Sequence, residues 1–114
     1  MSDVSGFSEQ KVEDRFKGRV DRVKMVLTIF IEDNSSIVDV IDDAISSDSH
    51  DDLRLYFHKI KGSALSIEAE SLAGVSARLE HDSANSKAID QGDYALFKNC
   101  LVATMDQAKE YCAR

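Results

Sequence analysis

The chain has 114 residues and 43% of them are hydrophobic, the length of one ordinary domain and enough apolar material for a core. With no proline and only five glycines, its composition favours helices and argues against disorder, a collagen-like chain or a turn-rich β-sandwich. A net charge of -7 with no basic stripe argues against nucleic-acid or anionic-membrane partners, and the longest apolar run falls far short of a membrane span.

The opening residues, "MSDVSGFSEQ", lack the basic-then-apolar layout of a signal peptide, so the expectation is a cytoplasmic protein. Helical periodicity then recurs along the whole chain. Residues 8 to 17 read as a short helix, capped by Ser8, with Val12 and Phe16 on one face and Gly18 at its end. From about 19 to 46, Val20, Val23, Leu27, Phe30 and Ile31 form one stripe, and Ile37, Val38, Ile41, Ala44 and Ile45 continue it. Between them "EDNSS" predicts a break near 33 to 36, with Asn34, Ser35 or Ser36 as caps.

"SSDSHDD" is a turn in which Asp48 or Ser49 can cap a helix over about 51–67. A helix over about 69–84 turns Leu72, Val75 and Leu79 inward. After the loop "SANSKAIDQGD", Asp90 starts a last helix to about 112, with Tyr94, Phe97, Leu101, Met105, Ala108 and Tyr111 as its stripe. No segment alternates as a strand would. Four helices of about 14 residues or more, joined by short loops, predict an all-α fold: one antiparallel four-helix bundle over 1–114, with the short N-terminal helix capping one end. Cys100 and Cys112 lie on one helix, roughly 18 Å apart by helical rise, beyond disulfide reach; both read as reduced thiols in packing or surface roles.

The stretch "FHKIKGSALSIEA", residues 57 to 69, departs from a plain amphipathic helix. Leu53, Phe57, Ile60, Ala64 and Ile67 follow core spacing. At about 100° per residue, His58 lies about 140° from the centre of that stripe and points to solvent. Leu55, Gly62, Leu65 and Ala69 are expected on the same outer side, flanked by Arg54 and Lys61. Such a face carries leucines with no core to join and a glycine that costs about 1 kcal/mol relative to alanine. It also sets a titratable imidazole between two cations. A missing side chain lets a bulky group or another backbone come close, and Leu55 and Leu65 suit a partner. Taken singly, a surface histidine or an exposed leucine is commonplace; the shared spacing is what points to a site.

"HKIKGSALSIEA" resembles the histidine-containing phosphotransfer (HPt) domain of bacterial multistep phosphorelays. In that family's signature, Lys and Gly stand three and four residues after the phosphorylated His, followed by small residues, an aliphatic, Gly and Ala. Here the matching positions are His58, Lys61, Gly62, Ser63, Ala64, Ile67 and Ala69. The similarity extends upstream through "LTIFIEDNSSIVDVIDDAISSDSHDDLRLYFHKIKG" and downstream through "LAGVSARLE", about 85 residues. One position departs: Glu68 stands where the family usually has glycine, so either Glu68 takes a positive φ at a cost of about 1 kcal/mol or the turn differs.

The resemblance implies a phosphocarrier. His58 would take a phosphoryl group from an aspartyl phosphate on one receiver domain and pass it to an aspartate on another, with the neutral imidazole as nucleophile. Lys61 would sit beside the phosphoryl oxygens as a compact cation; Arg54 would support the local field or touch the partner; Gly62 and Ser63 would permit its close approach. Glu80, at a spacing where such proteins often carry Gln or Glu, would accept from Nδ1–H and leave Nε2 as nucleophile. Lys59 and His81 read as surface residues, and His50 as part of a helix start. The implied partners are receiver domains of response regulators and of a sensor or hybrid kinase. The protein would be a monomer without a cofactor of its own or kinase activity, Mg²⁺ being expected on the receiver. Its start suggests a free-standing carrier, with an excised piece of a larger kinase as the alternative.

Two rivals compete. A helical adaptor would use Leu55, Leu65 and Gly62 to bind a signalling protein without phosphotransfer. A metal or haem bundle would call on the histidines and methionines, but His50, His58 and His81 lack ligand spacing and no Glu-x-x-His or CxxCH occurs. Neither a P-loop nor a catalytic-cysteine signature is present.

Overall fold

The computed structural model describes residues 5–114; the first four residues of the stretch read above for a leader lie outside them. Six helices follow one another: α1 (Glu9–Arg15), α2 (Val20–Asn34), α3 (Ile37–Ser46), α4 (His50–Ser66), α5 (Glu70–Ala84) and α6 (Gln91–Cys112). Among the described residues there is no strand, and no helix is long and apolar enough to cross a membrane.

Helices α1 and α6 begin on side-chain caps. Ser8 Oγ accepts from the Lys11 amide at 3.2 Å, and Asp90 Oδ1 accepts from the Asp93 amide at 2.8 Å, satisfying donors that a helix start leaves orphaned. Lys17 and Gly18 both take positive φ and turn the chain out of α1. The break between α2 and α3 falls where expected, and Ser36 stands at the cap position, but no side chain caps the start of α3. Asn34 Nδ2 turns back to donate to the Phe30 carbonyl at 2.9 Å, and Ser35 Oγ donates to the Glu32 carbonyl. Ser36 is the cap residue by backbone alone. These side chains satisfy the end of α2 rather than the start of α3. Ser49 likewise begins α4 without a side-chain cap bond.

The helices pack as a bundle: α4 lies on α5, α5 on α6, α6 on α2, and α3 on α4. The core between them is dominated by side chains from the expected stripes, including Leu27, Ile41, Phe57, Leu72, Leu79 and Phe97, all essentially buried. Phe57 meets Phe97 edge-on at 5.4 Å between ring centres, a favoured aromatic geometry. Val20 is the exception among the expected core residues: it is exposed, at the first residue of α2.

Helix α1 closes one end. Phe7 and Gln107 exchange two hydrogen bonds of 2.9 Å, and Arg114 holds Glu9 with both guanidinium nitrogens at 2.8 and 3.0 Å. From the other side of α1, Lys11 pairs with Glu70 and Arg15 with Glu68. At that end the turn from α4 to α5 is tight. Glu68 has φ +63°, the Glu68 amide donates to Leu65 O and the Ala69 amide to Ala64 O. That bond pair is a Schellman ending with glutamate in the position usually given to glycine. The turn also corrects one residue: Ala69, expected on the outer side, is fully buried. Helical rotation stops at Ser66, so projecting it three residues further misplaces Ala69.

Candidate functional site

Three polar side chains converge on the surface between α4 and α5, and each directly follows a sealed core residue. Phe57 precedes His58, Ile60 precedes Lys61, and Leu79 precedes Glu80; the three apolar members are at most 1% exposed. The helical step from a buried position carries the next side chain to the rim of the bundle. Since α5 returns alongside α4 after a three-residue turn, residue 80 comes level with residue 58.

His58 stands outward with 64% of its side chain exposed, while Glu80 is 19% exposed. Their atoms meet closely: His58 Nδ1 lies 2.8 Å from Glu80 Oε2. The other carboxylate oxygen, Oε1, lies 2.9 Å from Lys61 Nζ. The carboxyl group thus bridges the two α4 side chains. Lys61 foremost, with His58 adding to it, holds the Glu80 carboxyl below the usual carboxylate range against the opposing effect of its partial burial. At neutral pH Glu80 is therefore ionised and can only accept. The proton of the neutral ring then sits on Nδ1, and the Nε2 lone pair is left facing solvent.

The surroundings match the expected outer face in most respects. Leu55 and Leu65 are 53% and 48% exposed. Arg54, Lys59 and Gly62 are exposed as well. A Cβ built at Gly62 would meet no neighbouring element within 4 Å, so packing does not require a glycine there. Ser63 belongs elsewhere: it is half-buried, its Oγ donates to the Lys59 carbonyl at 3.1 Å, and with Ser66 it lines a groove against Val26, Ile29, Phe30 and Asp33 of α2. His81 is exposed beside Asn85, away from the ring of His58, and His50 is the first residue of α4.

Two features escaped the sequence reading. One is the Lys61–Glu80 pair, because the spacing relates each residue to His58 and not to the other. The other is Met25 and Ile29, exposed apolar residues one turn apart on α2, of which Ile29 lines the groove beside Ser63. Their signal was a second apolar row off the core stripe of α2. Among the described residues, no group of three or more His, Cys, Asp or Glu is placed to hold a metal ion.

The site can perform nucleophilic chemistry at Nε2 and can balance positive charge on the ring. Comparison with known proteins bears on that reading. Residues 25–110 match the family described as the Hpt domain. No curated protein and no solved structure matches the chain. The match runs over most of the sequence, from within α2 to the last turn of α6, and takes in His58, Lys61 and Glu80: the protein belongs to the Hpt domain family, the histidine-containing phosphotransfer domains of two-component signalling.

Proposed function

We propose that this protein is a histidine phosphocarrier whose phosphoryl group rides on His58 between the aspartates of receiver domains. The observation that carries the reading is the 2.8 Å contact between His58 Nδ1 and Glu80 on an otherwise outward-facing imidazole. In this reading the chain is a single domain, in which α2 with α3, α4, α5 and α6 form an antiparallel four-helix bundle and α1 caps it. It acts as a monomer in the cytoplasm, with no cofactor of its own.

The step is an in-line displacement at phosphorus. The Nε2 lone pair forms the new N–P bond as the aspartyl P–O bond breaks, and the electron pair leaves on the aspartyl oxygen as carboxylate. Nδ1 keeps its proton, so the ring gains positive charge, which Glu80 offsets. Lys61, one turn along α4, brings a cation to the phosphoryl oxygens. Mg²⁺ belongs to the receiver's acidic pocket. Arg54, Leu55, Gly62 and Leu65 provide the surface on which the receiver sits, while Ser63, implied by the resemblance, faces the groove against α2. Return transfer to another receiver reverses the same bonds. In this reading the group arrives from a receiver partner rather than from ATP.

The test is radiolabel transfer from a panel of phosphorylated receivers to the wild-type protein and to His58→Gln. The expected result is acid-labile, alkali-stable label on the wild type and none on a folded His58→Gln. Label retained by His58→Gln would remove His58 from the reaction. Normal signalling by that variant would favour the adaptor, which binds through the same leucines without chemistry.

A further inference from the structure

We propose that Lys61 is a positioning residue: before any phosphoryl group arrives, it holds the Glu80 carboxylate against His58 and so keeps the ring in its Nδ1–H form. This rests on the phosphocarrier reading and adds a step that precedes transfer. A lysine reserved for the incoming phosphoryl group would extend toward solvent beside Nε2. Lys61 instead turns to α5, where its Nζ lies 2.9 Å from Glu80 Oε1 with less than a third of its side chain exposed.

A glutamate has three rotatable bonds and two equivalent oxygens, so a single contact to the ring leaves it free to swing away. With Oε1 held by the ammonium, Oε2 is left at 2.8 Å from Nδ1. The same cation favours the ionised carboxyl, the form that can only accept. Arg78, on Glu80's own helix, is turned to Asp93 of α6 at 3.1 Å, and among the described residues the charged neighbours that lower the Glu80 carboxyl are Lys61 first and then His58, with burial opposing them. One cation thereby serves two anions in turn, the carboxylate in the resting protein and the phosphoryl oxygens during transfer.

The experiment reads the ring directly. Full-length protein labelled with ¹⁵N is compared as wild type, Lys61→Met, Lys61→Arg and Glu80→Gln, with helicity checked by circular dichroism. The ring-nitrogen shifts of His58 report which nitrogen carries the proton. The wild type is expected to show the Nδ1–H form alone once the ring is neutral. Lys61→Met is expected to show a mixture of both tautomers, and Lys61→Arg to restore the single form at least in part. In Lys61→Met, the acid pH at which Glu80 lets go of Nδ1 also moves upward. Label uptake by Lys61→Met falls by roughly tenfold to a hundredfold, the kinetic size of one charge-assisted hydrogen bond. A wild-type tautomer in folded Lys61→Met would overturn the proposal, whatever its transfer rate. Because the tautomer is read without phosphoryl transfer, a wild type that takes no label would sink the carrier reading and leave this result standing.

Discussion

Arg15 Nε lies 3.2 Å from Glu68 Oε1 across the closed end of the bundle, and the glutamate it holds has a left-handed backbone at φ +63°. A residue with a side chain is disfavoured there by about 1 kcal/mol or more. The turn supplies compensation: the Glu68 carbonyl accepts from the Ser8 amide at 3.2 Å, and Arg15 also reaches the Leu65 carbonyl.

Replacing Glu68 separates these effects. Glu68→Gly relieves backbone strain of about 1 kcal/mol and gives up a half-exposed ion pair worth about 0.2–1 kcal/mol. Its stability should equal or slightly exceed that of the wild type in urea denaturation. Glu68→Ala keeps the strain, loses the pair and should be the least stable of the three. A Glu68→Gly protein weaker than Glu68→Ala would show that the positive φ carries no cost.

Gly62→Gln should part stability from function. The position is exposed and a Cβ there meets no neighbouring element within 4 Å, so glutamine should raise stability by about 0.5–1 kcal/mol through helix propensity. Phosphoryl uptake from a receiver should fall steeply, because the added side chain stands one turn from the imidazole. Stopped-flow transfer together with thermal melting checks both halves; full activity in the stabilised variant would mean that no partner approaches residue 62.

Leu55→Asp and Leu65→Asp should leave the far-UV circular dichroism spectrum and the melting temperature close to wild type, since both side chains are about half exposed. Transfer at low receiver concentration should slow, with recovery as the receiver is raised, the mark of weakened docking. Unfolding of Leu65→Asp would contradict its outward placement.

The pH dependence of stability has two limbs with named sources. Lys61 above all lowers the Glu80 carboxyl below its ordinary value. A lowered carboxyl contributes stability that is complete above its unfolded value and lost as pH falls through the folded one. Urea midpoints should therefore drop below about pH 4.5, and by less in Glu80→Gln. Tyr94 has the opposite sign. Burial, and then the 2.6 Å bond it donates to Asp42, raise its phenol well above the ordinary value. Its contribution is complete below about pH 10 and fades as pH climbs toward the folded value. Tyr94→Phe should flatten that alkaline limb.

The amphipathic stripes made most of the fold legible, because periodicity reports burial directly. His58, Leu55 and Leu65 were placed outward by rotation alone, and Glu80 reached the imidazole as its spacing and the resemblance implied. Rotation failed at Ala69, where the helix had already ended; Ser63 entered through the resemblance, which says nothing of α2 beside it. The Lys61–Glu80 bridge was hidden for another reason. Which of two cations a carboxylate prefers depends on side-chain torsions across two helices, and those have no signature along a chain.

Phe57, Ile60 and Leu79, each buried one residue ahead of His58, Lys61 or Glu80, carry a consequence for traffic through this surface. In the proposed phosphocarrier the attacking nitrogen is aimed when the polypeptide folds, so a visitor has little disorder to remove from it on arrival. Under that proposal encounters can be brief and still productive, as a shuttle requires when it must let go of one protein before it meets the next.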